Sequence, residues 1–287
     1  MTEILEWINR SLIQAKRLWL FLGYDGTLNN VSPESGHVCP NSEVIALLAG
    51  LVRHPRIRVA VISGRRLSHM EALVPVPGVL LAGTYGVELR TPEGEHVDLV
   101  AYDTIRQVLD ALKPRWLQLI ARREGFSLED KLWSLALDAR FADDDEAEEV
   151  LATARRMVAE AEKEARGNLF RLLGGHKFLE LAPQLAHKGR AVEYVLDHYP
   201  WPGALPLYLG DGDKDEEAFD TIKARGGIAI LVSQKPRETK ADYRLAFPQA
   251  VLYWLATLPA RFESQVPVTS DKVRWVPESN HSILRVE

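Results

Sequence analysis

One cysteine in 287 residues, Cys39, is too few for an internal disulfide framework and fits a reducing compartment. Its neighbours are those of an ordinary loop thiol, and no chemistry is assigned to it. No stretch approaches the roughly 18 apolar residues that a bilayer-spanning helix needs. Glu3, Glu6 and Arg10 interrupt the apolar positions of the N-terminus, so neither a signal peptide nor a membrane span is expected, and a cytoplasmic protein is. An excess of basic charge is missing too. With 35 Lys and Arg against 40 Asp and Glu, the net charge is −5, which argues against a nucleic-acid or anionic-membrane partner. A small anionic substrate in a local basic pocket is left open. Internal repeats and low-complexity blocks are absent. Hydrophobic residues are abundant, at 46%, enough for one large domain or two modest ones.

Apolar runs at Leu18–Leu22, Arg58–Ile62, Val79–Ala82, Leu205–Leu209 and Ile228–Val232 alternate with helix-like stretches such as Ser42–Val52 and Gly189–His198. Alternation of this kind predicts βα units, an α/β fold and a mostly parallel sheet. The texture changes between Ala101 and Pro183: a helical pattern, a strand-like Trp133–Arg140, a charged helix over Asp143–Arg166 and a strand-like Lys177–Leu181. This segment reads as an inserted α+β domain, residues 101–183, in a core made of 1–100 and 184–260. The charge run in its second helix is a solvated face, with opposite charges three and four residues apart. Beyond Thr257 the pattern weakens around Pro259, Pro267 and Pro277, and 261–287 reads as a tail or an oligomer contact. Trp19 and Trp133, in predicted strands, are expected in the core.

The segment Leu18-Trp-Leu-Phe-Leu-Gly-Tyr-Asp-Gly-Thr-Leu-Asn29 reads as a buried strand that breaks into a turn carrying a carboxylate, the place where an α/β enzyme puts chemistry. Side chains alternate along a strand, so positions 23 and 25 project to one side, yet only Asp25 is an acid. Val59-Ala-Val-Ile-Ser-Gly-Arg65 ends a second strand in a hydroxyl and a glycine, suited to a phosphate oxygen, although a serine there is also an ordinary helix cap. Lys188, just before a helix pattern, offers an ammonium that can meet phosphate or steady a carboxylate. Leu207-Tyr-Leu-Gly-Asp-Gly-Asp-Lys-Asp-Glu-Glu-Ala-Phe219 is a strand followed by an acidic loop whose hard oxygens suit magnesium. Complementing the dipole of the next helix accounts for Glu216 and Glu217, but not for Asp211 at the strand end.

In this order, each at a strand end or helix start, these four segments resemble the motifs of the haloacid dehalogenase-like phosphohydrolases, whose first signature is Asp-x-Asp-Gly-Thr-Leu. Within that superfamily the chain is most similar to the trehalose-6-phosphate phosphatases, from about Leu18 to Leu258, through Gly83-Thr-Tyr-Gly-Val-Glu88, Gly125-Phe-Ser-Leu-Glu-Asp-Lys131 leading to Arg140, Phe178-Leu-Glu-Leu-Ala-Pro183 and Ala241-Asp-Tyr-Arg-Leu245. The resemblance implies a magnesium-dependent phosphomonoesterase with a Rossmann-like core and a small cap. Asp25 would protonate the leaving sugar oxygen and place its carbonyl on Mg2+. Ser63 and Lys188, with Gly64 and Arg65 beside them, would grip phosphate. Asp211 and Asp215 would complete the metal site, and Glu129, Lys131, Arg140 and Glu180 would face the sugar.

The departures bear on turnover and specificity. Gly23 stands where the family carries the aspartate that becomes phosphorylated, and glycine can neither attack nor ligate. An exchange made to trap substrate explains this in a chain whose other motifs are intact; natural loss, leaving a sugar-phosphate binder or regulator, is the alternative. Gly212 and Lys214 replace an aspartate and a threonine common in the acidic loop. Tyr85 and Asp138 stand where histidine is usual, and Ala182 where arginine often precedes proline. The expected substrate is trehalose 6-phosphate, with sucrose phosphate or a glycosyl-glycerate phosphate as alternatives. Oligomeric state is not legible.

Overall fold

A computed structural model describes residues 8, 10–12, 14–30, 39–165 and 168–263. Two sheets organise it. The larger has eight strands in the order β12-β11-β10-β1-β2-β3-β4-β5. Its members are β1 (Arg17–Leu22), β2 (Ile57–Ile62), β3 (Val79–Gly83), β4 (Glu88–Arg90), β5 (His96–Asp98), β10 (Ala204–Gly210), β11 (Ile228–Val232) and β12 (Tyr243–Leu245). From β12 to β3 every pairing is parallel; β4 and β5 add an antiparallel hairpin at one edge. Parallel strands are covered on both faces and therefore read as unbroken apolar runs. In β1, Leu18, Leu20 and Leu22 pack on one side with Val44, Leu48 and Leu51, while Trp19 and Phe21 pack on the other with Val192, Tyr208 and Phe219. Helices α1 (Ser42–Arg53) and α2 (Leu67–Leu73) follow β1 and β2.

The segment between β5 and β10 builds a separate four-stranded antiparallel sheet, ordered β6-β7-β9-β8. Its strands are β6 (Ser127–Asp130), β7 (Leu135–Asp138), β8 (Phe170–Gly175) and β9 (Phe178–Pro183), with α3 (Tyr102–Ile120) and α4 (Asp144–Ala165) packed on it. Leu109, Trp116, Val150, Leu179 and Leu181 share its core. Glu180 lies between two of those leucines and so belongs to the opposite face. Cross-strand register puts Glu129, Ala136 and Glu180 in one row across that face. The chain then returns to the larger sheet through α5 (Lys188–His198), and α6 (Glu216–Ala224), α7 (Pro248–Ala256) and α8 (Leu258–Glu263) complete the fold.

Two expectations need correction or fall outside the described residues. The strand expected over Trp133–Arg140 spans only β7, because Asp130 accepts from the Leu132 amide and Lys131 N–H bonds Ser134 C=O, closing a tight turn. Trp133 is buried all the same, set edge-on to Tyr102 at 5.0 Å between ring centroids. The tail lies, from residue 264 onward, outside the described residues. Among the described residues no helix is long and apolar enough to cross a membrane.

Candidate active site

Strands β10, β1 and β2 are neighbours, and their C-terminal ends deliver Asp211, the Gly23–Asp25 turn and Ser63 to one edge of the sheet, where open α/β folds bind ligands. Gly23 N–H donates to Leu209 C=O at 2.8 Å, and Tyr24 C=O accepts from the amides of Leu28 and Asn29, winding the chain into a turn. Gly26, at φ +72°, takes the left-handed conformation that the turn requires. Thr27 is fully buried and its hydroxyl donates to Asp211 Oδ1 at 3.2 Å. Burial, together with the negative charge of Asp215, pushes the Asp211 carboxyl up to about 6, and Lys188 and the Thr27 hydrogen bond only partly offset this.

The acidic loop divides its carboxylates. Asp215 is buried; its Oδ1 accepts from Lys188 Nζ at 2.7 Å and from the Tyr208 hydroxyl at 2.6 Å, and its Oδ2 accepts from Gly212 N–H at 3.0 Å. Burial, reinforced by Asp215, holds the Tyr208 phenol well above its usual range, so it stays a donor. Asp215 thus receives two donors on Oδ1 and one on Oδ2, and Lys188 spends one of its three N–H donors on it. Ser63 is likewise buried, and its Oγ accepts from the Arg65 amide at 3.1 Å, a local turn contact.

In front of these groups, between the two sheets, lies a cavity of about 270 Å³ lined by Asp25, Gly64, Arg65, Arg66, His69, Tyr85, Glu129 and Lys131. The structure thus brings five of the designated residues, Asp25, Gly64, Arg65, Glu129 and Lys131, to one cavity. Arg65 grips Asp25 with two parallel bonds, Nε to Oδ2 at 2.7 Å and Nη2 to Oδ1 at 2.9 Å, the fork geometry guanidinium makes best. Arg66 and His69 were missed, although their spacing of three places them on one side of a helix start and flags them as a pair. Buried Arg66 Nε has no hydrogen-bond partner among the described residues.

Two further designated residues are placed elsewhere. Arg140 is half-exposed on the cap and folds onto Asp138 at 2.7 Å, away from the cavity wall. Glu180 has no exposed surface and is bonded wholly within the protein: Oε1 accepts from Ser134 at 2.8 Å and Lys131 at 3.4 Å, and Oε2 from the Tyr85 hydroxyl at 3.1 Å with Lys214 at 3.8 Å.

Magnesium favours one or two carboxylates with substrate phosphate and water. Of the residues expected to hold it, Asp211 is without a basic partner in bonding contact, Asp215 is paired with Lys188, and Asp25, whose carboxylate is on Arg65, would offer its backbone carbonyl. Among the described residues no group of three or more His, Cys, Asp or Glu is placed to hold a metal.

The parallel α/β core and the inserted antiparallel sheet are shared with a haloacid dehalogenase-like hydrolase from Bacteroides thetaiotaomicron, which superposes with a TM-score of 0.58 at 15% identity over 84% of this chain and 98% of that one. The chain belongs to the trehalose-phosphatase family, whose sequence profile it matches over residues 21–249. It is 29% identical over 252 residues to the trehalose-phosphate phosphatase of Mycobacterium marinum, covering 85% of this chain and 62% of that protein, so it spans under two thirds of that relative's length. The C-terminal domain of Candida albicans trehalose-6-phosphate phosphatase superposes with a TM-score of 0.72 at 20% identity, over 89% of this chain and 96% of that one. The C-terminal domain of the Candida albicans trehalose synthase regulatory protein does so with a TM-score of 0.70 at 13% identity, over 88% and 97%.

Proposed function

We propose that this chain takes a sugar phosphate into the cavity between core and cap, trehalose 6-phosphate by family, and that its phosphatase chemistry is stalled at Gly23. The reading rests on one observation: the acid at the strand end, the arginine that grips it and the cap's Glu129 and Lys131 line a common cavity. Phosphate belongs at the core end, where Arg65 offers its fork. Sugar hydroxyls belong at the cap end, against the carboxylate and ammonium. Asp25, paired with Arg65 in the resting state, becomes free to carry a proton to or from the ester oxygen when the guanidinium turns to phosphate. Family chemistry is generally magnesium-dependent, and the metal would neutralise phosphate charge. The single cysteine fits a reducing compartment, and cytoplasmic work is part of this reading.

A second reading, a binder or regulator without turnover, is favoured by the space at position 23. A Cβ built there would lie 2.7 Å from Thr27 Oγ1 and 3.3 Å from Thr27 Cβ, so Thr27 fills the room a nucleophile's side chain would use. Gly23→Asp decides between them. With magnesium present, the variant should release phosphate from trehalose 6-phosphate, sucrose phosphate or a glycosyl-glycerate phosphate several orders of magnitude faster than the parent, the scale on which covalent nucleophiles act. No release from any of these esters by a folded variant sinks the stalled-phosphatase reading and leaves the binder.

A further inference from the structure

Three lysine or arginine side chains line the cavity, and two of them are already spent. Arg65 holds Asp25 with two parallel bonds, which raise its guanidinium above the usual range. Lys131 Nζ donates to Glu180 at 3.4 Å. Arg66 differs. Half-buried, its side chain makes no hydrogen bond or ion pair among the described residues, and its Nε is closed to solvent without an acceptor. A buried donor left unpaired in a folded chain is rare, and an ion or ligand that completes it is one of the few physical explanations. The backbone that carries Arg66 is fixed on both sides: Arg65 C=O accepts from the Thr84 amide at 2.8 Å, and the Leu67 amide donates to Glu88 Oε1 at 3.3 Å. A Cβ at Gly83 would lie 2.3 Å from Leu67 N, so only a glycine lets the end of β3 seat against this segment. Glu88 Oε1 also takes the Thr84 hydroxyl at 2.6 Å and is not bonded to Arg66. The guanidinium is thus placed in advance and left uncompensated, which keeps the ordering cost of binding an anion low.

We propose, resting on the reading of the cavity as a sugar-phosphate site, that Arg66 is the first seat of the ligand's phosphate and that the anion held there draws Arg65 off Asp25. A ligand that met Arg65 alone would have to break two short bonds to Asp25 before making any of its own. Arg66 requires no such exchange: its planar fork suits phosphate, and it has no protein acceptor to give up. Once phosphate is seated there, its remaining oxygens compete with Asp25 for the adjoining Arg65. The carboxyl released in this way is the one that carries the proton of the ester oxygen. Seating depends on the phosphate and not on the sugar behind it, so it serves trehalose 6-phosphate and smaller esters alike.

Calorimetric titration of the full chain, Arg66→Met and Arg66→Lys with inorganic phosphate and trehalose 6-phosphate, magnesium present, tests this, with urea unfolding of each protein alongside. Arg66→Met should bind both probes about tenfold or more weakly, the scale of one lost charge-assisted hydrogen bond. Arg66→Lys, which keeps the charge but not the fork, should lose less. Methionine retains the apolar stem and removes the unpaired N–H, so Arg66→Met should unfold at the same urea concentration as the parent or a higher one. Equal affinity of the parent and Arg66→Met for both probes overturns the proposal and leaves the sugar-phosphate site standing on Arg65. A lower unfolding midpoint for Arg66→Met, accompanied by weaker binding, makes Arg66 a structural support and overturns it too. A parent that binds neither probe removes the site itself, and the proposal with it.

Discussion

Glu180 belongs to the cap and Asp211 to the core, neither lines the cavity, and the protein treats the two carboxylates in opposite ways. Glu180, with no exposed surface, has two lysines, a tyrosine and a serine around it. Asp211, half-buried, has one threonine hydroxyl and a neighbouring aspartate, and its carboxyl is pushed up to about 6 by burial and that second negative charge. A buried charge survives only if paired. The seam between cap and core is therefore complete without a ligand, while the floor of the site is one positive charge short. That asymmetry separates the two: the cap carboxylate ties cap to core, and the core carboxylate is the one without a basic partner in bonding contact.

The largest effect should come from breaking the completed side. Glu180→Ala leaves Lys131 and Lys214 beside one another with no carboxylate between them, and truncating one partner of a buried ionic cluster costs about 3–5 kcal/mol. Urea unfolding should show that loss, and Glu180→Gln, which keeps an acceptor, should lose less. A loss under about 1 kcal/mol for the alanine variant would mean that the seam stands open in solution.

On the incomplete side the sign reverses. Asp211 titrates near 3.8 when unfolded and at about 6 when folded, so the folded chain holds the proton more tightly. Stability should therefore fall as pH rises from about 4 through 6, with the whole cost present above that. At 1.36 kcal/mol per pKa unit the cost at neutral pH is about 2–3 kcal/mol. Asp211→Asn should recover most of it at pH 7 and flatten the dependence of melting temperature on pH between 4 and 6, its side-chain oxygen still accepting from Thr27. An asparagine variant no more stable than the parent at pH 7 would show that a cation from solution already compensates Asp211.

The strands that position the site were legible for a reason that also explains what was not. β1, β2, β10 and β11 are buried on both faces and carry no polar interruption at their centres. β6 and β8 have an exposed face, with Ser127, Glu129 and Leu172 outward, and blend into the surrounding polar sequence. The turn at Asp130–Ser134 cut short a run that looked continuous. Of the site, Asp25 and the Ser63–Gly64 turn follow from their places at strand ends, and Arg65, Glu129 and Lys131 came through family resemblance. Glu180's partners were out of reach: Tyr85 is 95 residues away from it, and Lys214 is 129 away from Tyr85, so only the docking of cap on core reveals that this acid is spoken for. The setting of Asp215 was hidden for a different reason: the phenol of Tyr208, which donates to it, projects from a strand otherwise read as plain core.

Tyr208 offers a milder perturbation of the floor. Tyr208→Phe deletes the 2.6 Å hydroxyl bond to Asp215 and leaves Lys188 and the Gly212 amide in place, so the expected loss is about 1–2 kcal/mol by chemical unfolding. It also loosens the pair that fixes Lys188. If Lys188 is thereby freed toward the phosphate end of the cavity, inorganic phosphate should bind the variant more tightly than the parent; unchanged affinity would keep Lys188 as a support for the acidic loop alone.

The smallest effect is expected at Arg140, which the family resemblance placed among the sugar contacts. Its guanidinium pairs at 2.7 Å with Asp138 two residues away, and its side chain is 54% exposed. An exposed pair of this kind contributes under about 1 kcal/mol, because solvent screens it and two long side chains lose freedom to form it. Arg140→Ala should therefore leave unfolding free energy within about 0.5 kcal/mol of the parent. Sugar-phosphate affinity should not change either, since the residue forms no part of the cavity wall. Were glucose 6-phosphate or trehalose 6-phosphate to bind this variant markedly more weakly, the cap would have to turn on the core far enough to bring Arg140 round to the ligand, and the tie between Glu180, Tyr85 and Lys214 would then be a resting contact that the bound state breaks.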